Sequence, residues 1–397
     1  MTAPFTAEEV TAIRAATPGC DGDLIHLDHA GSSLPARAVL DTQIDHLRRE
    51  AAIGGYRAAA EAAERSDAVR SSLATMLGAN PSEIARTEHA TAAWNAAFWS
   101  IPMRAGQRVV THDHDYGANQ IALLHAAERF GVVVERVASD GHGQIDLDRL
   151  ATVLERPDDV AVVSLAWIPT SSGLVNPAAA VGSLCRSAGV PFLLDACQAV
   201  GQLDVDVAQL GCDFCSGTGR KFLRGPRGTG FLYARAGILD RVVPSQPDHH
   251  GARWLDLDRY DYVEGARRFE HWEHSVAGWL ALGAAVDVAL ELGIDRIEAT
   301  IAQRADELRA RLADVGMAVH DPGAVRCGIV TATHPELAAD DVSSALRDRG
   351  INTTVTFAGS ALADMAARRV PPATRLSVHC TTTADELDRV VDAVRAL

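Results

Sequence analysis

Lys221 is the single lysine among the 37 Lys and Arg residues of this 397-residue sequence. Arginine holds its proton throughout the accessible pH range, whereas a lysine amine that is buried or crowded by cations can shed it and act as a base or nucleophile. The residues leading to it, Ser216-Gly-Thr-Gly-Arg-Lys221, bring backbone N–H groups, a hydroxyl and a guanidinium close together, a good seat for a phosphate. Asp195 closes an apolar run and Gln198 follows three residues later; a carboxylate in such text is expensive to bury unless a cation offsets it. A structural salt bridge between Asp195 and Lys221 is one reading. The other is an aldehyde cofactor with a phosphate and a pyridinium nitrogen, using the lysine for a Schiff base, the carboxylate for the ring nitrogen and the donors for the phosphate.

Residues this far apart need a scaffold. Short apolar or β-branched runs at 108–111, 132–137, 160–165, 190–195 and 229–233 alternate with helical text. That rhythm predicts an α/β fold with a mostly parallel sheet and helices on both faces. Ligands on such sheets collect at the carboxyl ends of the strands. Lys221 lies 26 residues beyond Asp195, enough for one αβ passage to bring both to the same edge. Residues 242–267 read as a long irregular excursion of the kind that is usually functional, and a long helix follows over about 272–292. Residues 295–397 read as helix, strand, helix, strand, strand and a final amphipathic helix opening with the capping pattern Thr383-Ala-Asp-Glu386. The expected organisation is an N-terminal segment (1–20), a large ligand-binding domain (21–270), and a helix linker with a smaller C-terminal α+β domain (271–397).

The net charge of −15 argues against nucleic acid or an anionic membrane as partner, since both call for a basic face. The first 20 residues lack a basic start followed by an apolar core, and no apolar run reaches ~18 residues, so a soluble cytoplasmic protein is expected. Seven cysteines, an odd number in mostly apolar text, suggest buried reduced thiols. Cys212-Asp-Phe-Cys215 has redox or zinc spacing, but no second such pair or His pair stands near it. No metal site is expected.

Asp195-Ala-Cys-Gln198 followed by Ser-Gly-Thr-Gly-Arg-Lys221 resembles the Asp-x-x-Gln and Ser-x-x-Lys signatures of class V aminotransferase-fold enzymes that use pyridoxal 5′-phosphate (PLP). The likeness runs from Leu27-Asp-His-Ala-Gly-Ser to the closing strand and helix that begin at Arg375-Leu-Ser-Val-His. It implies the PLP-dependent transferase fold of type I. It also implies that Lys221 holds PLP, that Asp195 keeps the pyridine nitrogen protonated, and that Gln198 touches the phenolic oxygen. Thr91 would bind phosphate at a helix N-terminus, with a backbone N–H of Ala90 and side-chain donors from Thr218 and Arg220; an N-cap is the alternative for Thr91. Tyr116 is the candidate to stack on the ring, or else a packing residue. Arg375 matches the arginine that clamps a substrate α-carboxylate, with a surface arginine as the alternative. Tyr56 and Thr170 lie at substrate-facing positions of relatives. A homodimer is implied by the resemblance alone.

Cysteine desulfurases of this family carry a nucleophilic cysteine on a mobile loop before the carboxylate-binding arginine. Residues 354–369, Thr-Val-Thr-Phe-Ala-Gly-Ser-Ala-Leu-Ala-Asp-Met-Ala-Ala-Arg-Arg, contain none. Hercynylcysteine sulfoxide lyases and related C–S lyases share features like His26-Leu-Asp28, Gly54-Gly-Tyr56, Gly225-Pro-Arg-Gly228, residues 354–359 and Ser377-Val-His379. The resemblance therefore implies β-elimination from an S-substituted cysteine or its sulfoxide. A transaminase, an epimerase or a desulfurase-like enzyme on the same lysine and carboxylate is the alternative.

Overall fold

A computed structural model describes residues 2–397. Its centre is a seven-stranded sheet in the order Ile84–Thr87, Gly230–Ala234, Phe214–Thr218, Phe192–Asp195, Val160–Ala166, Arg108–His112, Val133–Val137. Of these, only Gly230–Ala234 runs against the others. Val160–Ala166, Phe192–Asp195 and Phe214–Thr218 are buried along their whole length, as near-continuous apolar strands covered on both faces must be. The helices Ala90–Phe98, Gly117–Phe130, Leu147–Leu154 and Ala178–Ala188 connect them. The α/β expectation holds, with two gaps: Ile84–Thr87 and Phe214–Thr218 are strands that the pattern of runs does not announce. The second ends in Ser216-Gly-Thr, where Gly217 is required because a Cβ would meet the Phe231 ring at 2.2 Å.

The same connectivity turns the active groups to one edge. Asp195, Ala166, His112, Thr87 and Thr218 all end strands that point the same way, and Gly230 begins the one that returns. Everything that follows those ends, including Lys221, therefore collects at the carboxyl side of the sheet.

Residues 242–267 are more ordered than their composition suggests. They contain an antiparallel hairpin, Ala252–Asp256 with Arg259–Tyr262, and lead into a 3-10 turn, Gly265–Phe269. Glu270 then enters the interior, where Arg70 (2.9 Å), His250 (3.0 Å) and the backbone N–H of Arg86 (2.9 Å) donate to it. Burial works against the charge, but His250 and the two arginines prevail and bring the carboxyl down to about 2. The next helix begins at Val276, capped by Ser275, and is buried on most sides against helices Arg37–Ile53 and Ala63–Leu77. Gly293, at φ 85°, breaks it from Ile294–Asp314.

A second, antiparallel sheet follows, in the order Ala318–Val319, Ile329–Thr333, Ala373–Ser377, Thr354–Thr356. It carries Arg375, paired across to Thr331 and Thr354. Ile25–His26 pairs with Ile351–Asn352 and so brings Asp28 beside Ser377. Helix Leu362–Arg368, within the segment that resembles a mobile loop, is an element the sequence pattern does not announce. Among the described residues, no single helix is long and apolar enough to cross a membrane. Cys212 and Cys215 are core thiols, and no cluster of metal-ligating side chains occurs among the described residues.

Three histidines are buried as neutral rings. His379 accepts from the N–H of Cys380 and donates to the Phe222 carbonyl (2.8 Å each). His29 lies against it, ring centroids 5.0 Å apart, and His112 packs on His114. Burial depresses all three, His379 and His112 to about 3. Such groups stay neutral in the fold and take up protons on unfolding below about pH 6.5, so stability is lost as pH falls from there toward 3, by about 1.4 kcal/mol per pH unit for each. Asp115, raised to about 6 chiefly by burial, binds its proton earlier in the fold and partly opposes this between about pH 6 and 4. The expected net outcome is a urea midpoint that drops steadily between pH 7 and pH 5; a midpoint flat over that range would contradict it.

Candidate active site

At the carboxyl edge of the large sheet lies a cavity of about 270 Å³. Ala90, Thr91, Tyr116, Thr170, Asp195, Gln198, Thr218, Arg220 and Lys221 all line it. Nine of the eleven residues singled out in the sequence thus meet around one space. Lys221 is buried, not out in solvent, and faces the same cavity as Asp195.

Each wall has a local cause. Asp195 is the last residue of its strand, and the turn after it donates the Cys197 N–H to Oδ1 at 2.9 Å. Thr91 stands in the first turn of helix Ala90–Phe98, whose leading amides have no intrahelical partner and suit an anion. Thr91 is not the cap: His89 is, accepting from the Ala92 N–H at 3.0 Å. Lys221 is held in a turn closed by Gly225 N–H to the Gly219 carbonyl (2.7 Å) and Arg224 N–H to the Lys221 carbonyl (2.8 Å). Thr218 donates to the Thr229 carbonyl (3.1 Å) and Arg220 to the Gly31 carbonyl, so both predicted phosphate donors have protein partners to exchange. Tyr116 lines the cavity while 39% exposed, placing it at the mouth.

Arg375 reaches this space through Thr170. Its Nη1 donates to the Thr170 carbonyl (3.1 Å) and hydroxyl (2.8 Å), and Nη2 pairs with Asp28 (3.0 Å). Burial lowers its pKa from the ordinary value while Asp28 supports the charge, and Nε is left buried without a partner. A surface arginine is excluded by its 8% exposure. Tyr56 departs from the expectation. It is 85% exposed and lines a different groove with Leu47 and Trp272, because helix Gly55–Glu61 buries Ala58 and turns the tyrosine outward.

Sequence reasoning passed over several residues. Cys197 lines the cavity near Lys221; burial pushes its thiol up, with the lysine opposing. Its place inside Asp-x-x-Gln was the available signal. Arg227 also lines the cavity, from the quoted Gly-Pro-Arg-Gly tract. Asp115 and Asn119 sit behind Asp195, with Asn119 donating to both carboxylates at 2.9 Å; nothing in the local pattern marks them. His114 Nδ1 lies 3.1 Å from Asp364 on helix Leu362–Arg368. Burial raises the Asp364 carboxyl, but Arg368 and His114 outweigh it and hold it well below the usual carboxylate range. The loop before that helix packs its Gly359 carbonyl against Gly117, the residue after Tyr116.

The aminotransferase class-V family matches residues 25–390. The chain belongs to that family. It is 28% identical over 384 residues to a cysteine desulfurase of Yersinia pestis (strain Pestoides F), covering 94% of this chain and 93% of the relative. It is 30% identical over 391 residues to a probable hercynylcysteine sulfoxide lyase of Mycobacterium tuberculosis, covering 96% and 92%. The apo cysteine desulfurase of Thermococcus onnurineus NA1 superposes with a TM-score of 0.90 at 22% identity, over 100% of this chain and 99% of that one. The fold is the type I PLP fold, and the family's cofactor is PLP.

The residues fit that group. Gln198 Oε1 is buried without a partner in a cavity that also offers an amine, a carboxylate and a helix N-terminus. Gly230 ties these together: a Cβ there would meet His89 backbone carbon at 2.7 Å and the Gly217 carbonyl at 2.8 Å, and neither can rotate aside. Gly230→Ala is expected to push the start of helix Ala90–Phe98 away from Thr218, weakening PLP binding about tenfold or more with a lowered apo-protein melting temperature; titration with PLP and a thermal melt measure the two.

Proposed function

We propose that this protein cleaves the C–S bond of an S-substituted cysteine, or of its sulfoxide, by β-elimination. With one water consumed, the products are a thiol or sulfenic acid, pyruvate and ammonia. The observation that carries this reading is the composition of the segment that packs against Gly117, next to Tyr116: residues 354–369 hold no cysteine to receive sulfur. The relation to both desulfurases and a probable sulfoxide lyase supports chemistry at a cysteine-type C–S bond.

Bound PLP supplies an electron sink that no side chain here can provide. Lys221 would hold it, Asp195 would face the ring nitrogen, Gln198 the phenolic oxygen, and Thr91, Ala90, Thr218 and Arg220 the phosphate. Lys221 Nζ, the sole lysine amine of the chain, takes the proton from Cα. That proton balances the one the departing sulfur acquires. Arg375, which donates to Thr170 on the cavity wall, would orient the substrate carboxylate together with Thr170. Tyr116, at the mouth, would limit water above the site.

A second reading rests on Cys197, a thiol on the cavity wall. There it would accept sulfur and the product would be alanine rather than pyruvate. The exposed Tyr56, Leu47 and Trp272 border a groove of about 500 Å³, and the hairpin presents Trp254 and Leu257 to solvent. These support a homodimer, to be checked by sedimentation equilibrium.

Incubation with a panel of cysteine S-conjugates and sulfoxides, without any 2-oxo acid, is expected to yield pyruvate and the sulfur fragment in equal amounts. Lys221→Ala should abolish both turnover and the absorption band of lysine-bound cofactor, whereas Cys197→Ala should keep pyruvate release within a few-fold. Alanine as the product, lost in Cys197→Ala, would replace elimination by the second reading.

A further inference from the structure

Two carboxylates, Asp115 and Asp195, are buried on neighbouring elements with a single amide between them. Asn119 Nδ2 donates one hydrogen to Asp115 Oδ1 and the other to Asp195 Oδ2, both at 2.9 Å. The amide can point only one way, since the reverse would set its oxygen against two carboxylate oxygens. Asp115 is itself fixed by the Thr111 hydroxyl (2.7 Å), the Tyr116 N–H (2.8 Å) and, more weakly, Gln120 (3.4 Å). Asn119 and Asp115 are 1% and 2% exposed, so no water competes for these bonds. Asp195 thus has one donor on each oxygen, Cys197 N–H on Oδ1 and Asn119 on Oδ2, and its carboxylate plane is set from behind.

We propose that Asn119 and Asp115 are positioning residues for Asp195: Asp115 orients the Asn119 amide, which locks the Asp195 carboxylate toward the cavity and keeps it an acceptor for a protonated ring nitrogen. The inference rests on reading Asp195 as the partner of that nitrogen. An amide suits the task because it separates two acids without adding a proton that could pass to either. Asp115 also holds the backbone N–H of Tyr116, so one buried acid sets the aromatic wall and the carboxylate wall of the cavity together.

The test uses full-length protein with PLP as probe, and three variants: Asn119→Ala, Asp115→Asn, and Asp195→Asn as reference. The readouts are the PLP dissociation constant, the pH titration of the bound-cofactor absorption band, and the melting temperature of the apo protein. Loss of one hydrogen bond to a charged acceptor should weaken PLP binding about tenfold in Asn119→Ala. Its band titration should shift in the same direction as in Asp195→Asn. The isosteric Asp115→Asn should shift it in that direction by less, and it carries the test if Asn119→Ala does not fold. A merely structural role would lower the melting temperature and leave affinity and band titration unchanged in both variants while Asp195→Asn collapses; that overturns the proposal. An Asp195→Asn protein that binds PLP with wild-type affinity and spectrum overturns the reading of Asp195 itself, and this inference with it.

Discussion

One carboxylate and one amine, both withdrawn from water onto the wall of the same cavity, impose most of what surrounds them. A buried Asp195 or Lys221 alone would carry the full penalty of lost hydration. The Cys197 N–H and the Asn119 amide, one on each oxygen, make the burial of Asp195 tolerable. The sheet delivers Asp195 at a strand end, the next strand and turn deliver Lys221, and the helix at Ala90 adds the positive end of its dipole. The glycines at 217 and 230 let these elements approach to distances a side chain would forbid.

The charged interior extends outward from there in layers. Arg375 is paired with Asp28, so the guanidinium does not wait unpaired for a substrate. Asp364 is shared by Arg368 and His114, which joins helix Leu362–Arg368 to the turn after the strand end at His112. Glu270 gathers Arg70, Arg86 and His250 beneath the hairpin. In each case an acid, buried or half-buried, joins segments far apart in sequence, so losing the charge loosens a junction between elements. The neutral histidines add the same sensitivity to acid from the other direction.

Much of this was legible in the residues themselves. Lys221 stood out by its uniqueness, and Asp195 and Gln198 by their place after an apolar run; period and β-branching marked five of the seven strands of the sheet. What escaped was of two kinds. Ser216-Gly-Thr looks like loop because glycine in a strand answers to the Phe231 ring, a contact distant in sequence. Asn119 and Asp115 have meaning only once Asp195, 76 positions away, is beside them. Tyr56 shows the converse limit: a motif assigns a residue to a site, but within one chain the helix that carries it faces elsewhere.

The contact of the Gly359 carbonyl with Gly117 separates two tasks that many pockets combine. The floor, with its amine and acids, belongs to the large sheet, while the backing of Gly117 belongs to a short connection between a strand of the small sheet and helix Leu362–Arg368. Lengthening or recolouring residues 357–361 would change what packs beside Gly117 and Tyr116 and leave the floor intact. An edit confined to that connection can therefore reshape the surroundings of Tyr116 without touching the amine and acids of the floor.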